Sequence, residues 1–86
     1  MAGSLYEEEV LIVHRAIALL RNEVDQSLIR DLETEQSAAS TGLEWHGITS
    51  GVFQHILATS RITPETREAL NAGVQAVRVI FGSEDA

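Results

Sequence analysis

Apolar residues recur at steps of three and four through the first third of the chain. Tyr6, Val10, Val13, Ile17, Leu20, Val24 and Leu28 share one stripe of a 3.6-residue helix, and the repeat has the spacing of an a/d seam. Leu5, Ile12, Ala16 and Leu19 lie beside that stripe and widen it. Ser4 and Glu7 have the spacing of a capping box, which sets the start. The pattern predicts one long first helix over residues 5–36. At about 1.5 Å per residue such a helix would run to ~48 Å, more than a small globule covers. Its apolar surface therefore asks for more than one packing partner.

The rhythm stops after Leu32, and the stretch from Thr34 to Thr41 is rich in Ser, Ala and Thr, as a short helix–helix connection is. Thr41 and Glu44 repeat the capping-box spacing and open a second helix over residues 42–60. Its core stripe is Trp45, Ile48, Val52 and Ile56, flanked by Phe53 and Leu57. Glycine inside a helix costs about 1 kcal/mol relative to alanine. Gly47 and Gly51, four apart, therefore mark either a place where another helix comes close or a frayed, irregular first turn. Thr63 followed by Pro64 stops this helix and caps a third over residues 64–81. The third helix turns Leu70, Val74, Val77 and Phe81 inward and ends at Gly82. The fold class is all-α, one domain over residues 1–86 in which the second and third helices form an antiparallel pair against the long first one.

Eighty-six residues bury a modest core, and with no cysteine there is no disulfide to reinforce it. Homodimerisation is the expected remedy, with Tyr6, Val10, Val13, Ile17, Leu20, Val24 and Leu28 at the interface. A folded monomer would instead require the first helix to be shorter or folded back on itself. No apolar run approaches the ~18 residues of a membrane span, and no signal-peptide pattern opens the chain. A cytoplasmic protein is the expectation. Thirteen acidic residues against six arginines, and no lysine, give a formal charge of −7. That is the wrong sign for binding phosphates, so nucleic acid is not expected as a direct partner.

His14, His46 and His55 form no pair at a spacing of three or four, and no Glu stands three residues before any of them, so no metal site is expected. No nucleophile elbow or glycine-rich phosphate cradle is present. Neither a cofactor nor catalysis is expected. The function that remains is interaction: a small acidic adaptor, regulator or inhibitor that occupies a surface of a protein partner.

Three stretches resemble known families. Leu57-Ala58 followed by Ile62-Thr63-Pro64-Glu65-Thr66 and Ala69-Leu70 resembles the core of a helix-turn-helix motif, with Arg61 in the place of the turn glycine. That likeness implies a DNA-binding regulator. Trp45-His46-Gly47, after a long helix, is similar to the Trp-x-Gly helical-hairpin substrates of type VII secretion. Phe81 and Asp85 have the spacing of that system's tail signal, with Phe81 in place of tyrosine. This second likeness implies an exported helical dimer. Size and helix order resemble all-helical chorismate mutases, but the lysine that family's chemistry requires does not exist in this chain.

Overall fold

The computed structural model of the chain describes residues 6–85, and these form four helices: α1 (Glu7–Leu20), α2 (Gln26–Ser37), α3 (Gly42–Thr59) and α4 (Pro64–Asp85). The all-helical class stands, but the first of the three expected helices is two. Ser4, the expected first cap, lies outside the described residues. In α1 the glutamates Glu7, Glu8 and Glu9 occupy the first turn, where the helix dipole favours negative charge.

The expected helix over residues 5–36 breaks between Leu20 and Gln26, for local and distant reasons together. Asn22, Glu23, Val24 and Asp25 are all poor or middling helix formers except Glu23, and Asp25 takes an extended backbone at φ −57°, ψ 144°. The Glu23 side chain turns away from the helix axis. Its carboxylate accepts from the Thr63 backbone N–H at 2.8 Å, from Thr63 Oγ1 at 2.7 Å, and from Thr66 Oγ1. These bonds pin the corner after α1 to the turn before α4, and they hold the Glu23 carboxyl below its ordinary pKa, the Thr66 bond contributing most. An ion pair from Arg21 to Glu33, 2.7 Å, ties the corner to α2. The fold measures 38 × 27 × 24 Å, shorter in its longest direction than the unbroken helix would be.

Helix α1 packs along α4, α4 packs on α3, and α3 carries α2 on its other side. The core lies between α1, α3 and α4: Val13, Ala16, Leu20, Phe53 and Leu70 are fully buried there. Thus Val13, Ile17 and Leu20 of the expected dimer seam sit in the core of a single chain. Tyr6, Val10, Val24 and Leu28 are partly buried.

The two later cap signals hold. Thr41 Oγ1 accepts from the Glu44 N–H at 3.1 Å, and Glu44 Oε1 accepts from the Ser40 N–H at 2.6 Å, a capping box displaced by one residue on its return arm. Thr63 Oγ1 accepts from the Thr66 N–H at 3.3 Å, and α4 begins at Pro64 as expected. Gly82 does not end α4, which continues to Asp85 with no glycine at positive φ. The inward face of α4 is as expected at Leu70, Val74 and Val77, all buried, and departs at its end; that of α3 is shifted from expectation. On α3 the buried line is Thr49, Phe53 and Ile56, with Trp45, Ile48 and Val52 only partly covered; on α4, Ile80 is buried while Phe81 is 39% exposed. Buried Thr49 is possible because its hydroxyl donates to the Trp45 carbonyl and accepts from Gln36 Nε2, both at 2.8 Å.

The close helix approach expected at Gly47 and Gly51 is at Gly73 instead. A Cβ on Gly73 would stand 2.7 Å from Phe53 Cε2, so the absent side chain is what admits the Phe53 ring. At Gly51 nothing lies within 4 Å, and at Gly47 a Cβ would meet only the rim of the Phe81 ring at 3.3 Å.

Candidate functional site

Because α2 and α4 flank α3 without touching each other, one face of α3 stays open between them. Side chains along that face would normally form a ridge. Here the ridge is low at Gly47 and Gly51, and three cavities adjoin there. One cavity of about 570 Å³ is lined by Ala38, Ala39, Leu43, Gly47, Ile48 and Phe81. A second, of about 490 Å³, opens toward α2 at Leu28, Asp31, Glu35 and Val52. A third, of about 430 Å³, opens toward α4 at Ser50, Gln54, Val77 and Arg78. Gly47 borders all three cavities, and Gly51 borders the last two.

The trough is apolar at the end lined by Leu43 and Phe81, mixed further along at Ser50, Gln54 and His55, and charged at its edges. Leu43 and Phe81 are 37% and 39% exposed at one end, a sizeable apolar area for solvent to face. The α2 edge carries the exposed carboxylates Asp31 and Glu35, and the α4 edge carries Arg78. Among the described residues the ion pair is that of Arg21 with Glu33, so it engages neither edge. Glu44, at the mouth, is committed to its capping bond. Phe81 and the two glycines were singled out from the sequence as core and as close-packing residues; the structure brings them together at a surface. The signal available was the pair of glycines in a helix that otherwise has no reason to carry them.

A second cluster joins α1 to the start of α3. Trp45 packs between His14, ring centroids 5.3 Å apart at 38°, and His46, 4.9 Å apart and nearly perpendicular at 84°. His46 Nδ1 is buried and finds no hydrogen-bond partner in the protein. Burial, and then the charge of His14, hold the His46 pKa below its ordinary 6.5. The unfolded chain therefore binds a proton at higher pH than the folded one does. The contribution of neutral His46 is fully present above pH 6.5 and is lost as pH falls through its lower folded value. Melting temperature is expected to drop between about pH 7 and pH 5, and His46→Gln is expected to flatten that limb. Glu23 acts in the same direction, but below its own ordinary value of 4.5. A wild-type melting curve unchanged from about pH 7 to pH 5 would refute the His46 account.

Among the described residues, no three His, Asp or Glu side chains are grouped so as to hold a metal ion, and no helix is long and apolar enough to cross a membrane. The helix-turn-helix likeness falls on the end of α3 and the start of α4. There Glu65 and Glu68 line a cavity with Ile12, Arg15 and Leu19 of α1, so the helix that would read DNA presents carboxylates beside α1. The Trp-His-Gly stretch lies within the first turns of α3, and the break at Ser60–Thr63 divides what a two-helix hairpin would keep continuous. Comparison with protein-family models, with curated proteins and with solved structures gives no match to this chain.

Proposed function

We propose that this protein is a non-catalytic interaction module, an adaptor, regulator or inhibitor, that works by receiving a helix of a protein partner in the trough on α3. The observation that supports this reading is the set of three cavities that adjoin along α3 at Gly47 and Gly51, with Leu43 and Phe81 exposed at one end. Helix-in-groove recognition needs an apolar channel of that shape. The backbone of all three surrounding elements is helical and bonded within itself. An extended segment laid there would lose its hydrogen bonds to water and gain none in return, whereas a helix satisfies its own backbone. Homodimerisation is part of the proposal through a different surface from the expected seam: the outer face of α1, where Leu11 is 61% and Ile12 37% exposed.

Gly51→Leu tests the trough. The position is exposed and open, and leucine is the better helix former by about 1 kcal/mol, so the variant is expected to melt at or above the wild-type temperature. It also fills the floor. Affinity capture from the native host, quantified against wild type, is expected to lose specific partners with Gly51→Leu and to keep them with a substitution at exposed Arg61. Partners retained by both variants would show that binding uses another surface.

A further inference from the structure

Resting on the trough reading, we infer that the occupant is a basic amphipathic helix, about three turns long, seated with its cationic flank along α2. The trough spans α3 from Leu43 to His55, which is on the order of 18 Å of helix axis. A helix of about a dozen residues matches that length, with a small or medium apolar side chain over Gly51 and a larger one beside Leu43 and Phe81. Its backbone can descend at Gly51, which has open space above it, while at Gly47 the Phe81 ring already stands 3.3 Å from where a Cβ would be and forms the wall there.

The two edges differ in charge, and that difference selects the chemistry of the flanks. Asp31 and Glu35 lie one turn apart on the α2 edge, with Glu44 at the mouth, while Arg78 is the charge on the α4 edge. A helix with arginine or lysine on the flank toward α2 pairs with those carboxylates; one with acidic residues there is repelled. The chain's formal charge of −7 adds a long-range pull on a cationic partner and a push on a second copy of itself. A second copy seated in the trough is therefore not the occupant the charges favour.

Three fluorescent helical peptides of about 16 residues, long enough to span the trough with a turn to spare, test this against the full chain. They share one apolar stripe and carry arginine, glutamine or glutamate on the flank. Anisotropy gives affinity, and amide shifts in NMR spectra locate the site. The arginine peptide is expected to bind roughly fivefold to tenfold tighter than the glutamine peptide, and the glutamate peptide weaker still. Its shifts are expected at Gly47, Ile48, Gly51 and Phe81, and Asp31→Asn with Glu35→Gln, or about 0.5 M salt, should erase its advantage. Equal binding of the arginine and glutamine peptides at those amides would overturn the basic occupant and leave the trough as a helix site. Shifts confined to other surfaces, or no binding by any peptide, would overturn both readings. Self-association abolished by Gly51→Leu would make a second copy the occupant instead.

Discussion

Leu20→Asp is expected to leave no folded protein, whereas Leu11→Asp is expected to leave a folded monomer. Leu20 is fully buried at the end of α1, in the core shared with α3 and α4. Removing its apolar surface forfeits roughly 1.5–3 kcal/mol. Placing a carboxylate there without a partner costs several kcal/mol more, or forces its protonation. A chain of this size has a total stability of roughly 4–13 kcal/mol, so the two losses together exhaust most or all of it. Leu11, 61% exposed, has no such burial to lose. Circular dichroism of Leu20→Asp should show the helical signal gone at room temperature. Light scattering should report a dimer for wild type and a monomer for Leu11→Asp with an unchanged spectrum. A folded Leu20→Asp would mean that α1 does not pack as described, and a monomeric wild type would remove the α1 dimer surface.

That contrast depends on where α1 ends, and the end was hidden from local reading by the very regularity that announced the helix. Leu20, Val24 and Leu28 are spaced by four, so the apolar stripe runs across the break without a missed step. Asn22 and Asp25 are weak breakers, and Asp25 makes no side-chain capping bond. What holds the corner is Glu23 bonded to Thr63 and Thr66, residues 40 and 43 positions away. No window of local sequence contains that information. Folding back also buries much of a wide apolar surface without projection or pairing: the length of the seam is divided between α1, which packs on α4, and α2, which packs on α3.

The starts of α3 and α4 were legible because their signals are chemical and local. Thr41 with Glu44, and Thr63 with Pro64, act within one turn of themselves. The inward face of α4 was legible through Leu70, Val74 and Val77, and that of α3 was less so. A stripe through Trp45, Ile48, Val52 and Ile56 and one through Thr49, Phe53 and Ile56 differ by a fraction of a turn, and the choice is made by Thr49 finding Gln36 and by Phe53 finding the gap at Gly73. The same shift leaves Gly51 exposed and Gly47 under the rim of the Phe81 ring. The glycine pair was thus visible as an anomaly, but its meaning required knowing which way α3 faces.

Phe53 and Gly73 form the tightest joint among the glycine contacts of the fold, and a mutant cycle on them should show strong coupling. Phe53 is fully buried, and Phe53→Ala is expected to cost about 3–5 kcal/mol, through lost burial and the cavity left behind. Gly73→Ala has two opposed effects. Alanine raises helix propensity by about 1 kcal/mol, but its Cβ would stand 2.7 Å from Phe53 Cε2 and 3.1 Å from Cδ2, with Ala16 Cβ 3.7 Å away. An exposed ring would swing aside; this one is enclosed, so overpacking of about 1–3 kcal/mol decides the sign and the variant is destabilised. At about 4–8 °C per kcal/mol, melting should fall by several degrees. Gly51→Ala, with the same propensity gain and open space, should move the other way. Phe53→Leu alone is expected to cost about 1–1.5 kcal/mol, yet it withdraws the ring atoms that the new methyl at position 73 would strike. The double variant should therefore be more stable than the sum of its parts by about 0.5–3 kcal/mol. Strict additivity in thermal and urea unfolding, or a Gly73→Ala chain as stable as Gly51→Ala, would mean that α3 and α4 do not meet at this joint and that the face of α3 forming the trough is turned elsewhere.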